Sequence, residues 1–290
     1  MLNTSQISEK SFVKGAHHMG YSIPAKILEI TVENGVKKTK YSLMQTMILG
    51  FEAGAFIALG YLLFIRVTAT LSPNLEGLSS LIGAAVFPIG LILTLLAGGE
   101  LLTGNMMAVP LARMENRINT GQVLFNWFLV SVSNFLGAIF VAYFFGHLLG
   151  LTEMTPYLAK TISIAEHKLE ASFLQAFISG IGCNWLVAAA VWLSYGADDM
   201  FGKIAGIWFP TMTFVAIGFQ HVVANMFVIP AAIFAGHFTW IEYLHNFIPV
   251  FLGNAIGGTI FIGMAYWYAF NKNKSPYTET NIKETMEKVG

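Results

Sequence analysis

Residues able to do chemistry are scarce in this 290-residue chain, and the most informative ones lie in two short interruptions of apolar segments. The first interruption, residues 97–105, contains three glycines, Glu100 and Thr103, and the second, residues 218–225, contains His221. Histidine exchanges a proton near neutral pH, and a threonine hydroxyl can donate to an anion or orient an imidazole. The types and spacing therefore predict proton exchange at His221 with Thr103 nearby. The structural alternatives are a neutral histidine bonded to a backbone carbonyl and a threonine that ends a helix.

The elements around these residues are apolar enough to lie in a membrane. The chain is 55% hydrophobic and 11% charged, which excludes an ordinary soluble two-domain protein. About 20 apolar residues cross a bilayer, and six such windows are present. They are 42–65, 78–110, 123–149, 172–194, 204–234 and 241–270. The single Cys183 excludes a disulfide within the chain, and the net charge of zero gives no reason to expect nucleic acid.

An internal repeat organises these segments. The string Asn-Met-x-x-aliphatic-Pro occurs at residues 105–110 and again 120 positions later, at 225–230. Further matches between the halves, at this offset or close to it, are Asn126 with Asn246, Asn134 with Asn254, Gly137 with Gly257, and residues 51–54 with 177–180. Each half has three spans, and an odd number inverts the second copy in the membrane. We predict two inverted three-helix repeats whose second and fifth helices are broken, with one site between them.

Both breaks should expose the ends of half-helices. The free N–H groups and the positive dipole end of each half-helix would point towards the centre and favour an anion. Asn105 and Asn225 are interpreted as the caps of these half-helices, with direct contact to a bound solute as the alternative.

Three other polar residues lie at membrane depth. Glu100 is expected to accept N–H bonds from its own glycine loop. Glu52 is either protonated or paired with a polar group, and the sequence does not decide between these states. For Asn184, lining of a pathway and hydrogen bonding between helices are equally open.

Basic residues predict that both termini lie in the cytoplasm. With six spans, thirteen Lys and Arg residues fall on the side of the termini and three on the other, and cytoplasmic segments are the basic ones. The three on the outer side are Arg66, Lys160 and Lys168. We divide the chain into a cytoplasmic N-terminal segment (1–40), a transmembrane domain (41–271) and a cytoplasmic tail (272–290). A short helix capped near Ser22 and ended by Gly35 should lie on the inner membrane surface or pack on the loops.

Three segments in order resemble the signatures of the formate/nitrite transporter family. They are residues 95–104, residues 180–190 with Cys183-Asn184, and residues 218–226 around a central histidine. The resemblance covers about residues 15–271. It implies an all-α, aquaporin-like fold, assembled as a homopentamer with one pathway per protomer in a prokaryotic cell membrane. It also implies transport of a small monovalent weak-acid anion without an enzymatic activity, cofactor or metal.

Matching positions imply individual roles. The constriction residues implied are Phe87, Leu91, Leu101 and Phe214. Thr103, Asn184 and His221 should face the centre, and Lys168 should lie near the pathway. Gln220, a loop-supporting residue like Glu100, stands where formate channels of the family commonly carry Glu. The mechanism expected is attraction of the anion by Lys168 and the half-helix ends, followed by protonation at or through His221, because a bare ion is costly to pass through apolar slits.

Several functions remain open at this point. Formate is the first choice of substrate, nitrite the second, and hydrosulfide or lactate follow. From a different class, an aquaporin-like channel for neutral solutes would explain the paired Asn-Met strings, but His221 argues against it. A membrane-embedded enzyme would need clustered acid, base or metal groups, and one histidine with two carboxylates lacks such spacing.

Overall fold

The computed structural model describes residues 20–271, and this part of the chain is helical apart from short connections. Six of its helices are long and apolar enough to cross a membrane, which confirms the predicted number of spans. The first nineteen residues of the predicted N-terminal segment and the predicted tail, 272–290, lie outside the described residues.

The helices follow one another along the chain with short connections. They are α1 (Pro24–Lys38), α2 (Leu43–Thr68), α3 (Glu76–Val86), α4 (Ile89–Leu93), α5 (Leu102–Met114), α6 (Thr120–Phe140), α7 (Tyr157–Leu169), α8 (Phe173–Gly196), α9 (Met200–Ile217), α10 (Val222–Phe234), α11 (Trp240–Ile256) and α12 (Ala265–Phe270). Stretches of π-helix extend α4, α6 and α11: Thr94–Gly98, Val141–Leu148 and Gly257–Met264. A 3-10 turn, Pro73–Leu75, precedes α3.

The second and fifth predicted spans are broken, as expected. The second runs from Glu76 to Gly98 and resumes as α5, while the fifth ends with α9 and resumes as α10. Gly98 and Gly218 adopt positive φ angles of 101° and 87° at the two breaks. Glycine takes this conformation without the clash that a Cβ would cause, so the chain can turn out of one helix and enter the next.

The half-helices α5 and α10 form the centre of the protein. Each has 13 residues, and their residues 102–112 and 222–232 are all buried. At 1.5 Å per residue each half-helix is about 20 Å long, which is too short to cross a bilayer. The two therefore divide the depth of the membrane between them.

The repeat extends further than its sequence alignment indicated. Asn134 donates to the carbonyl of Gly50, and Asn254 donates to the carbonyl of Gly180, each at 2.8 Å. Gly50 and Gly180 are thus equivalent and lie 130 positions apart. The predicted match of residues 51–54 with 177–180 was wrong by one helical turn, because glycines recur every fourth residue on this face of α2.

Helix α1 packs on the protein through its apolar side. Its N-cap is Ile23, without a side-chain cap from Ser22, and Gly35 lies inside the helix and does not end it. A Cβ on Gly35 would come 2.1 Å from the carbonyl oxygen of Ala108, so glycine permits close contact between α1 and α5. Whether the other side of α1 rests on the membrane surface stays a prediction.

Contact between α2 and α6 depends on glycines at the same depth. A Cβ on Gly137 would lie 2.0 Å from the carbonyl oxygen of Phe51. We expect Gly137→Ala to destabilise the protein by roughly 1–3 kcal/mol, since the rigid backbone of α2 must move away. Thermal unfolding in detergent measures the effect. Gly77→Ala is the control, because its Cβ would meet nothing within 4 Å; an equal shift in both variants would contradict the packing argument.

Candidate functional site

Two asparagines bridge the breaks. In the first half, Asn134 accepts the N–H of Leu102 at 3.0 Å and donates to the carbonyl of Glu100 at 2.8 Å. In the second half, Asn254 accepts the N–H of Val222 at 2.9 Å and donates to the carbonyl of Gln220 at 3.0 Å. At each break one N–H group and one carbonyl are thereby satisfied without water, as the membrane interior requires.

Asn105 supports its loop and does not cap the half-helix. Helix α5 begins at Leu102, so the cap position is Leu101 and Asn105 is the fourth helical residue. Its Nδ2 donates to Glu100 Oε2 and to Asn126 Oδ1, each at 2.9 Å. The cap interpretation is wrong because the extended loop ends at Leu101, four residues earlier than the sequence indicated.

Asn225 repeats this arrangement in the second half. Helix α10 begins at Val222 with His221 at the cap position, and Asn225 Nδ2 donates to Gln220 Oε1 and Asn246 Oδ1, each at 2.9 Å. Its interpretation as a cap is therefore also wrong. Both asparagines are buried away from the outer cavity described below.

The carboxylate of Glu100 has a partner that the sequence reasoning missed. Lys38 Nζ lies 2.8 Å from Glu100 Oε1, and the two side chains are 14% and 5% exposed. Glu100 thus pairs with Lys38 and Asn105, and the expected N–H bonds from its glycine loop are absent from the described hydrogen bonds of this side chain. Burial is the largest influence on the pKa of Lys38 and lowers it, but the attraction and hydrogen bond of Glu100, together with Tyr195 and Tyr41, outweigh burial, so the pKa is raised.

His221 caps α10 with its own ring. Its Nδ1 accepts the N–H of Ala224 at 3.1 Å, and its Nε2 lies 2.9 Å from Thr103 Oγ1. Because Nδ1 acts as an acceptor, the hydrogen of a neutral ring is on Nε2 and is donated to Thr103. The structural alternative expected a carbonyl partner, whereas the observed backbone partner is an N–H group.

Thr103 and His221 meet although the repeat does not relate them. At the 120-residue offset, His221 corresponds to Leu101, and Thr103 corresponds to Val223. Thr103 is the second residue of α5 and His221 precedes α10, so their contact lies where the two half-helix starts converge.

A cavity of about 260 Å³, named the outer cavity, reaches His221 of this pair from the side of α7. Its walls include Tyr61, Lys168 and His221. Two buried phenylalanines predicted as constriction residues also line it: the rings of Phe87 and Phe214 meet edge to face with centroids 5.8 Å apart. Phe214 also stacks on His221 at 5.8 Å. The cavity therefore narrows from a polar wall to an aromatic slit beside the imidazole.

Lys168 provides the cationic wall of this cavity. It is 9% exposed, and its Nζ lies 5.9 Å from the centroid of the Tyr61 ring. Among the described residues no carboxylate lies within ion-pair distance of this ammonium. Burial lowers the pKa of Lys168 to about 8, opposed weakly by Cys183. The group is thus mostly charged at neutral pH and loses its charge as the pH rises through 8.

Thr103 and three further residues predicted for the pathway or its constrictions, Leu91, Leu101 and Asn184, lie outside the lining of this cavity. Leu91 and Leu101 are buried in the same apolar cluster as Phe87 and Phe214. Asn184 Nδ2 donates to the carbonyls of Thr103 at 3.1 Å and Asn254 at 2.7 Å, which is the interhelical alternative. Its Oδ1 is buried without a partner in the described part of the chain.

Glu52 lies on the surface of the protomer. Its side chain is exposed on α2, and residues 20–271 provide no hydrogen-bond or ion-pair partner for it.

Six spans, two opposed broken helices and a cavity that reaches their junction define a membrane transport protein. The chain belongs to the formate/nitrite transporter family, since the family model described as formate/nitrite transporter matches residues 25–268.

Relatives of known name agree with this assignment. The chain is 59% identical to the uncharacterized transporter YrhG of Bacillus subtilis, over 88% of this chain and 96% of that protein. It is 54% identical to the formate channel BtFdhC of Bacillus thuringiensis, over 89% of this chain and 99% of that protein. The formate channel FocA of Escherichia coli is 32% identical over 86% of this chain and 94% of its own length.

Solved structures share the fold. An FNT family ion channel superimposes with a TM-score of 0.78 at 29% identity, covering 84% of this chain and 98% of that one. A pentameric formate channel with formate bound gives a TM-score of 0.68 at 29% identity, covering 78% and 96%. The predicted fold class, with six spans in an aquaporin-like arrangement, is confirmed.

Removal of one partner of the buried ion pair should be costly. Lys38→Met leaves Glu100 without its counter-charge, and we expect roughly 3 kcal/mol or more of destabilisation. Glu33→Gln is the control, because the side chains of the Glu33–Arg117 pair are 64% and 46% exposed and solvent screens their attraction, so its removal should cost far less. Thermal unfolding in detergent compares the two; similar shifts would show that the buried pair has no special role.

Proposed function

We propose that this protein transports formate across a prokaryotic cell membrane as a homopentamer, with both termini in the cytoplasm. The observation that carries the proposal is the cavity in which the Lys168 ammonium faces an aromatic slit beside His221 and Thr103. The named relatives that are formate channels support the choice of substrate. The positive-inside distribution of lysine and arginine supports the orientation.

Attraction of the anion is the first step. The Lys168 ammonium and the positive end of α10 both act on the cavity, and a small anion is stabilised by each. Low exposure of Lys168 reduces screening by salt, so its charge acts over the full width of the cavity.

Neutralisation is the second step. Between Phe87 and Phe214, whose rings meet edge to face, a bare anion would lose its water and find no hydrogen-bond donor on either side chain, which costs several kcal/mol. Formic acid carries no charge and avoids most of this cost. The slit therefore selects the protonated form of the solute.

His221 has the geometry of a hydrogen-bond donor. A formate oxygen that displaces Thr103 would receive the Nε2–H, while the Thr103 hydroxyl could serve the second oxygen. A proton on Nδ1 would require loss of the bond from Ala224. We therefore propose that His221 orients and polarises the anion, and that the proton reaches it from water in the outer cavity.

Uptake into liposomes containing purified protein tests the function. Formate, nitrite, hydrosulfide, lactate and glycerol are compared across pH with the internal pH recorded. We expect formate to be taken up fastest, with internal acidification. Faster uptake of nitrite than of formate would change the proposed substrate to nitrite. Glycerol flux without anion flux would exclude the proposal.

Replacement of the central histidine should remove the response to pH. We expect His221→Ala to abolish the increase of formate uptake on acidification, because no donor holds the anion while it is protonated. His237→Ala is the control, since His237 is exposed and follows α10. Elution as an oligomer of unchanged size shows that folding survives the loss of the cap. Unchanged uptake by the His221 variant at every pH would rule out this role.

Lys168 should give the apparent affinity its own pH dependence. A lysine whose pKa is lowered to about 8 attracts anions below that pH, and the attraction is lost as the pH rises through it. We expect the apparent KM for formate to rise between about pH 7 and 9 in the wild type, and to stay low in Lys168→Arg, because a guanidinium remains charged. Lys160→Ala on the same helix is the control. Parallel pH curves for wild type and the arginine variant would contradict the assignment.

A further inference from the structure

Lys38 and Lys168 occupy equivalent places in the two repeats. The backbone carbonyl of Lys38 accepts from Asn126 Nδ2 at 3.4 Å, and that of Lys168 accepts from Asn246 Nδ2 at 2.9 Å. Each lysine is at the end of the helix that precedes the first span of its half. Their side chains nevertheless go to different places.

In the first half the lysine is held by the loop. Glu100 has two acceptor oxygens: Oε2 receives Asn105, and Oε1 receives the Lys38 ammonium at 2.8 Å. The carboxylate of Glu100, in the loop of the first break, thereby neutralises the charge of Lys38.

In the second half an amide stands in the place of this carboxylate. Gln220 Oε1 accepts from Asn225 at 2.9 Å and from Asn246 at 2.8 Å. Its other end, Nε2, faces the backbone of Lys168 and donates to its carbonyl at 3.3 Å. In the first half, Glu100 Oε1 accepts a hydrogen bond from the ammonium. In the second half, the equivalent atom is Gln220 Nε2, which is a donor.

Hydrogen bonding fixes this orientation of the amide. Asn246 uses Nδ2 for both Lys168 and Gln220, and its Oδ1 accepts from Asn225. If the Gln220 amide were turned over, its Nε2 would meet two donating amides and its Oε1 would meet a carbonyl. An amide N–H cannot accept from an ammonium, so Lys168 cannot adopt the position of Lys38.

We infer that Gln220 is a positioning residue. Its donating amide keeps the Lys168 ammonium away from the asparagines that hold the second break and in the outer cavity, where the ammonium is free to attract an anion. The attraction of an anion rests on the proposed function, whereas the position of the ammonium does not. The two repeats thus place equivalent lysines differently: Lys38 forms an ion pair with Glu100, and Lys168 forms no ion pair among the described residues.

The groups that face Lys168 from neighbouring elements are few. They are Tyr61 from α2, Cys183 from α8, His221 at the start of α10, and His167 and Glu170 beside it in the chain. Glu170 lines a second cavity of about 360 Å³ together with Lys168 and Gln220, but it lies beyond ion-pair distance of the ammonium.

The structure of Gln220→Glu tests the positioning directly. We expect the Lys168 ammonium in the variant pentamer, determined by cryo-electron microscopy, to lie about 3 Å from the introduced carboxylate, as Lys38 does from Glu100. An ammonium that still lies over Tyr61 would overturn the inference. This result is independent of what the protein transports.

Uptake kinetics test the consequence for the anion. We expect Gln220→Glu to raise the apparent KM for formate roughly tenfold with little change in the maximal rate, as the loss of one weakly screened charge contact would. The increase with pH between 7 and 9 should also disappear, because the paired lysine no longer offers a charge that titrates there.

A double-mutant cycle separates positioning from direct repulsion. In a Lys168→Ala background, Gln220→Glu should have almost no further effect on KM. An equal further increase would show that the new carboxylate repels the anion by itself, and would overturn the inference. Gln175→Glu is the matched control, since Gln175 lines the second cavity and its cap to Ser172 is retained by Glu. We expect its KM to change less than threefold, about 0.6 kcal/mol.

Failure of the two proposals can be told apart. If wild-type liposomes take up no formate at any pH, the proposed function fails, and the cryo-electron microscopy result still decides whether Gln220 positions Lys168. If the wild type transports formate and the variant lysine does not move, only the positioning inference fails.

Discussion

The hydrogen bonds of Asn134 and Asn254 hold both broken helices together. Each side chain accepts the first N–H of a half-helix, donates to the loop carbonyl two residues earlier, and donates again to a glycine carbonyl on a neighbouring span. One amide thus joins three backbone segments across each gap. Without such a bridge the free backbone groups would lie unpaired in a medium without water. The direction of both half-helices, and with it the meeting of Thr103 and His221, depends on these bonds.

The asparagine bridges are the same in both halves, but the side chains beside the two breaks differ. Equivalent positions carry Leu101 and His221 at the caps, and Glu100 and Gln220 in the loops. A duplicated frame provides two half-helix ends that face each other, but identical side chains on both would give two identical sites. Differences at a few positions turn the junction into one asymmetric site, with the apolar Leu101 at one half-helix start and the polar His221 at the other. Gene duplication explains the frame, and the divergent residues make its two halves chemically different.

Long-range periodicity was predictable from the sequence, and atomic register was not. Six apolar windows, two glycine-rich breaks and a 120-residue repeat are properties of long segments, and the structure has all three. The cap of each half-helix was misplaced by four residues because Asn favours caps in general, whereas here the loop stays extended only to Leu101 and His221.

Contacts between residues distant in the chain could not be predicted from the sequence either. Lys38 and Glu100 are 62 positions apart, and nothing near either residue indicates the pair. A signal did exist: Lys38 precedes Lys168 by the same 130 positions that separate Gly50 from Gly180. It could be recognised only with the correct register of the first helices, and an error of one helical turn concealed it.

The hydrogen bonds of His221 bear on whether flux through the protein depends on the transmembrane voltage. With Nδ1 engaged by Ala224 and Nε2 by Thr103, the ring at the centre of the protein is a dipole without a formal charge. A fixed charge that titrated at this depth would sense the transmembrane potential, which does about 2.3 kcal/mol of work per elementary charge per 100 mV. A solute that passes this point as a neutral acid, beside a neutral ring, moves no charge through that field. Its flux then follows the concentrations of acid on the two sides and is insensitive to voltage.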